Sequence, residues 1–187
     1  MAILSILCLV LALFVHGLMA IYDFAYFRIP NLLVVILFVL FFFWAPLTME
    51  WSEIGVNIIV FFVVLALSFT FFAFKWIGGG DAKYLAVGAL WVGLHHIADY
   101  FLWVALSGGV FSVFYLICKD WVSSLSDRVW AGLQKCESSF PPLKFVWHMS
   151  GEGAQAGPQR AIAQKSIPYG VAIALGSWII LLGRIYQ

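Results

Sequence analysis

The chain has 187 residues, of which 64% are hydrophobic and only 10% charged, with a mean hydropathy of +1.02. Such a balance excludes an ordinary soluble domain and is that of an integral membrane protein. The formal net charge of +1 gives no reason to expect nucleic acid or an acidic partner, so only the placement of charge along the chain is informative. Cys8, Cys118 and Cys136 lie far apart without a CxxC pair, which argues against a zinc site or a redox motif; no metal and no cofactor is expected.

The first apolar run, about 2 to 22, has no basic stretch ahead of it and is read as a retained membrane helix rather than a cleaved signal peptide. Crossing about 30 Å of hydrocarbon takes roughly 20 apolar residues. On that measure further helices are expected at about 30 to 48, 54 to 74, 82 to 95, 97 to 118 and 167 to 186. The expected fold is therefore all-α: one membrane-embedded domain over residues 1–187, with about six transmembrane helices. The fourth is short, because Lys83 and His95 bracket eleven residues, about 16 Å at 1.5 Å per residue. One of its ends should open into a wet crevice, or the bilayer should thin around it. A crevice would leave a cysteine placed at Ala82 open to a water-soluble reagent.

A loop at about 119–166 precedes the last helix. In it, Trp121, Val122, Leu125, Val129, Trp130 and Leu133 recur at helical spacing, which predicts an amphipathic helix lying on the membrane interface or packed on the protein itself. The stretch "SGEGAQAGPQR" that follows reads as mobile. If the loops after the first, third and fifth helices share a side, that side holds Arg28, Lys75, Lys83, Lys119, Arg128, Lys135, Lys144, Arg160 and Lys165, nine of the ten basic residues. By the positive-inside rule that side is cytoplasmic and both termini are outside.

Asp23 closes the first helix and Asp81 opens the fourth, with two crossings between them, so they share a side whichever way the chain is oriented. A carboxylate at a membrane helix end is costly against lipid and usually faces a bundle interior or a water-filled cavity. Two that meet there cannot both ionise; they hold one proton between them and titrate as a unit. That is the machinery of aspartic proteolysis, in which one carboxylate takes a proton from water while the other donates to the peptide carbonyl. Gly78, Gly79 and Gly80 would let the backbone approach an extended substrate. The free N–H groups at the start of the fourth helix would favour ionised Asp81, leaving Asp23 as the protonated partner. Each aspartate by itself reads equally well as a helix cap, and spacing leaves a dyad and two unrelated caps both open. Elsewhere, His95 and His96 are adjacent and point in different directions on a helix, so outer-loop polarity accounts for them, and for Asp99, better than a metal. Ser107 in "LSGGVF" reads as helix packing.

Three segments in order resemble the type IV prepilin peptidases, membrane aspartyl proteases of the GxGD type: "DFAYFRIPN" at 23 to 31, "GGGDAKYLAVGALWVG" at 78 to 93 and "IPYGVAIALG" at 167 to 176. The resemblance implies a GxGD-type helical bundle in the bacterial inner membrane with Asp23 and Asp81 as the catalytic pair. It implies supporting roles for Gly78, Gly80 and Lys83, for Arg28, Pro30 and Asn31, and for Pro168, Tyr169 and Gly170. Snorkelling would equally explain Lys83, and helix starts or close packing the prolines and glycines. The implied substrates are prepilins or pseudopilins, cut after a glycine where a short basic leader meets an apolar helix; the bilayer and other pilus-assembly proteins are the implied partners. Larger members also carry a cytoplasmic domain with paired CxxC motifs and methylate the new N-terminus. Without those cysteines, the sequence resembles the small branch serving Flp pili of tight-adherence systems, a peptidase with no methyl-donor cofactor. Competing readings are an archaeal preflagellin peptidase, a presenilin-like protease sharing "YD" and "GGGD", and a non-enzymatic membrane scaffold or channel subunit.

Overall fold

The computed structural model describes residues 2–139 and 167–183, and the regular elements among them are all helical. In chain order they are α1 (Ala2–Tyr26), α2 (Asn31–Trp44) continued by a 3-10 turn (Ala45–Leu47), α3 (Trp51–Ala73), α4 (Gly79–Val92), a 3-10 turn (Leu94–His96), α5 (Ile97–Ile117), α6 (Lys119–Ser139) and α7 (Tyr169–Gly183). Every segment expected to be a membrane helix is helical, with shifted bounds. Three stretches, Ile3–Tyr26, Trp51–Ala73 and Leu94–Ile117, are long and apolar enough to cross a bilayer, while Asn31–Leu47 and Tyr169–Gly183 are shorter apolar helices. The stretch "SGEGAQAGPQR" and Lys144, Arg160, Lys165 and Arg184 lie outside the described residues.

Local chemistry sets several of the boundaries. Glu50 caps α3 through a reciprocal capping box, in which the Glu50 backbone N–H donates to Glu53 Oε2 at 3.2 Å. Pro30 precedes α2 and its carbonyl accepts from the N–H groups of Leu33 and Val34, a use of proline that needs no N–H of its own. α4 ends at Gly93, whose φ of 74° is open to glycine and strained for other residues; a Cβ there would also stand 2.6 Å from Asn57 Oδ1. The fourth helix therefore stops at Val92 rather than 95, and His95 and His96 fall in a separate turn. There His96 Nδ1 lies 3.6 Å from Asp99 Oδ2, and no group of three potential metal ligands occurs among the described residues.

α4 is the centre of the bundle. Ala82, Tyr84 and every residue from Ala86 to Val92 are buried, walled by α2, α3, α5 and α7. Trp91 donates its indole N–H to the Leu37 carbonyl at 3.0 Å and stacks on Trp44 with ring centroids 5.0 Å apart. A helix surrounded by protein on all sides has no need to match the bilayer thickness, which accounts for its length of 14 residues. The outward faces of α1, α3 and α5 instead expose Leu7, Phe14, Ile59, Phe62, Leu102 and Val110, the pattern of lipid-facing helices. Small residues let α5 and α7 approach: Gly108 lies against Ala172 and Tyr169, and Ser107 Oγ donates to the Ala172 carbonyl at 3.1 Å. Packing explains Ser107, as expected.

α6 is packed on the protein. Ser126 Oγ donates to the Phe24 carbonyl at 2.9 Å, Val122 and Ser126 are buried, and the helix touches α1 and α5, so most of its apolar stripe faces the bundle, while Trp121 at its start is exposed.

At Gly88 an added Cβ would collide with the Tyr100 hydroxyl, whereas at Gly109 it meets nothing within 4 Å. Gly88→Ala is therefore expected to destabilise the purified protein by about 1–3 kcal/mol through overpacking, and Gly109→Ala to change stability by less than about 0.5 kcal/mol. Thermal unfolding in detergent, followed by tryptophan fluorescence, distinguishes the two.

Candidate active site

Asp23 lies within the last turn of α1, four residues before Phe27, whose N–H donates to the Asp23 carbonyl at 2.8 Å. Its side chain is only 4% exposed. A carboxylate this buried must be given hydrogen-bond donors, and α7 supplies them. The Gly170 N–H donates to Asp23 Oδ2 at 2.6 Å, and the Val171 N–H bonds to the same carboxylate. Both are free donors of the first turn of a helix, so the closing segment of the chain binds the first aspartate through its backbone. Gly170 cannot readily be replaced, because a Cβ there would lie 2.7 Å from Asp23 Oδ2 and 2.8 Å from its Cγ.

Asp81 is the third residue of α4, not the residue that caps it. Gly78 occupies the N-cap, and the Asp81 carboxylate reaches back to accept from the Gly78 N–H, one half of a capping box. The cap reading of Asp81 thus holds in altered form, and it does not exclude another role. Gly78 must be small for this to occur, since a Cβ there would stand 2.9 Å from Asp81 Oδ2. Because both carboxylates meet helix N-termini, that feature alone does not single out Asp81 as the ionised member.

The two carboxylates line one cavity of about 780 Å³, close enough for the Asp81 charge to act on Asp23. Three stretches of chain build its walls: Phe27, Arg28, Ile29 and Asn31 from the turn between α1 and α2; Phe72 and Lys75 to Lys83, apart from Ala82, around the start of α4; and Ile167, Pro168 and Tyr169 before and at the start of α7. These are the three segments singled out in the sequence, joined by the α3–α4 turn. Lys83 donates to Asn31 Oδ1 at 2.9 Å, linking the first and second segments directly. Ile29 lies against Gly80, where a Cβ would stand 3.5 Å from the Ile29 Cβ, an ordinary contact. Pro30 does not line the cavity; it is buried at the start of α2. The walls also include two non-glycine residues with left-handed backbone, Phe27 at φ 55° and Lys75 at φ 61°, a strained conformation that tends to persist where surrounding structure enforces it.

Two buried side chains escaped the sequence reading. His16 and Tyr84 are both fully buried, and His16 Nδ1 and the Tyr84 hydroxyl share a hydrogen bond at 2.5 Å. The available signal was an ionisable residue inside a membrane helix, seven positions before Asp23 and so on the same face.

The fold and site define a helical membrane protein with a carboxylate pair in one cavity at an end of the bundle. The chain matches the type IV leader peptidase family over residues 4–113, more than half its length and a span containing both aspartates, and it belongs to that family. It is accordingly a membrane peptidase. No curated protein and no solved structure matches it.

Two outcomes follow from this geometry. In a chain whose three cysteines are replaced by serine, a cysteine at Ile77, on the cavity wall, should react with a water-soluble maleimide. One at Ala82 should not, because Ala82 is fully buried; the crevice is reached beside Asp81, but not at the position that the sequence suggested. Gly170→Ala should push the Asp23 carboxylate aside and lower peptidase activity by about 10²-fold, the usual penalty for a misplacement near 1 Å, read as initial rate at equal amounts of folded protein.

Proposed function

We propose that the protein is an aspartyl endopeptidase that removes the short basic leader of prepilins or pseudopilins, with Asp23 and Asp81 as the catalytic pair. The observation that carries this reading is the meeting of both carboxylates in one cavity whose walls come from the three sequence segments. One carboxylate, ionised, takes a proton from water as the water oxygen attacks the scissile carbonyl carbon. The other, protonated, donates to the carbonyl oxygen. Collapse of the tetrahedral intermediate breaks the C–N bond, and the departing amine leaves with a proton returned by the pair. Low solvent exposure around Asp23 strengthens these electrostatic interactions, and neither a metal nor a covalent intermediate is required.

The remaining motif residues receive positioning roles. Gly170 and Val171 orient Asp23, Gly78 orients Asp81, and the Lys83–Asn31 bond holds the two walls together. Pro168 and Tyr169 shape the third wall and Arg28 the first; Gly80 lies beside Ile29 at ordinary contact distance. The bundle would sit in the bacterial inner membrane as six crossings with both termini outside, placing the cavity at the cytoplasmic face, where a leader meets an apolar helix. The proposed activity is that of a peptidase without methyl transfer, of the kind that serves Flp pili.

Purified protein in liposomes should cut a synthetic prepilin after the leader glycine. Asp23→Asn and Asp81→Asn should each lower the rate about 10²–10⁴-fold, as loss of an acid or base does, compared at equal amounts of folded protein. Normal cutting by either variant would refute the two-aspartate mechanism, and loss of ion conductance without any effect on precursor would favour a channel.

A further inference from the structure

The helices carrying the two aspartates, α1 and α4, each pack on α2 and α7 more than on one another. One buried polar link joins them directly. His16, two turns before Asp23, and Tyr84, one turn after Asp81, are fully buried; their rings lie 5.4 Å apart and His16 Nδ1 meets the Tyr84 hydroxyl at 2.5 Å. Tyr84 is also within reach of the Asp23 charge. His16 Nε2 has no hydrogen-bond partner among the described residues, so the Tyr84 contact is the interaction that holds the imidazole.

We propose that His16 and Tyr84 are positioning residues, whose hydrogen bond fixes the separation and rotation of α1 and α4 and thereby the spacing of the two carboxylates. This rests on the two-aspartate reading above. Both partners lie on the faces of their helices that carry the aspartates, since i,i+7 and i,i+3 neighbours share a face. A directional hydrogen bond in a dry interior has no water to exchange with, and breaking it leaves two buried polar groups unpaired. A link of this kind fixes register, and a shift of about 1 Å at a dyad is enough to cost 10²-fold in rate.

The test compares Tyr84→Phe, His16→Leu and the conservative His16→Asn, whose amide occupies the place of Nδ1, in the full chain in liposomes with a synthetic prepilin. Tyr84→Phe and His16→Leu should each lower kcat at least tenfold with KM within twofold. His16→Asn should recover most of the loss, and the double variant should be no slower than either single one, the non-additivity expected of a shared bond. Additive losses, unchanged kcat, or His16→Asn behaving as His16→Leu would overturn the proposal.

A readout independent of turnover separates this proposal from the peptidase reading. With spin labels at Ile21→Cys on α1 and at the exposed Leu94→Cys in the turn that directly follows α4 in a cysteine-free chain, Tyr84→Phe should broaden or shift the interlabel distance distribution. Superimposable distributions would overturn the proposal even if the enzyme cuts prepilin. A shifted distribution in a protein that cuts nothing would support the link and count against the substrate assignment alone.

Discussion

The structure depends on a solution to one problem: how to keep the carboxylate of Asp23 almost wholly out of water at the end of an apolar helix. Burial of such a group without donors costs several kcal/mol, and the donors that meet it among the described residues are backbone N–H groups. The first turn of α7 presents its free backbone N–H groups, with Gly170 donating at 2.6 Å. A helix with a side chain at that position could not come so near, which makes the glycine a condition of the fold as much as of the site. The last helix is thereby fastened to the first across 147 residues of chain, and the third wall of the cavity follows from it.

The second carboxylate is held by a different and more local device. Asp81 folds back onto the Gly78 N–H at the start of α4, so its position is set by the helix that carries it. That helix is central and buried, and Lys83 and Asn31 tie its beginning to the α1–α2 turn. One aspartate is therefore placed by long-range packing and the other by helix-end geometry. The proposed two-aspartate mechanism needs both to face one space, and the cavity of about 780 Å³ gives room for a peptide backbone and a water.

Much of this was legible in the residues. Apolar runs gave the helices, because the bilayer demands length and hydrophobicity that few other structures share, and the even number of runs between Asp23 and Asp81 put the two on one side. Boundaries were less legible. The stop of α4 at Gly93 depends on a positive φ that the apolar pattern runs through, and the start at Gly79 depends on Asp81 acting from inside the first turn rather than ahead of it. Whether the stripe of α6 faced lipid or protein could not be read from its period, since both surfaces are apolar; the Ser126 hydroxyl bonded to the Phe24 carbonyl decides it. Gly170 was identifiable as part of a motif, yet its function lies in a contact between distant segments that spacing cannot reveal. His16 and Tyr84 carried a signal, an ionisable group within a membrane helix, but its partner was another helix away.

Convergence of the first segment on the second is the claim on which the site stands, and a disulfide measures it directly. With Ile29→Cys and Gly80→Cys in an otherwise cysteine-free chain, the Cβ of one lies about 3.5 Å from that of the other, within the usual range for a disulfide. Mild oxidation in native membranes should therefore close the pair rapidly and within one chain, seen as a mobility shift reversed by reductant. Two cysteines that stay free and are alkylated independently under the same oxidant would contradict the account.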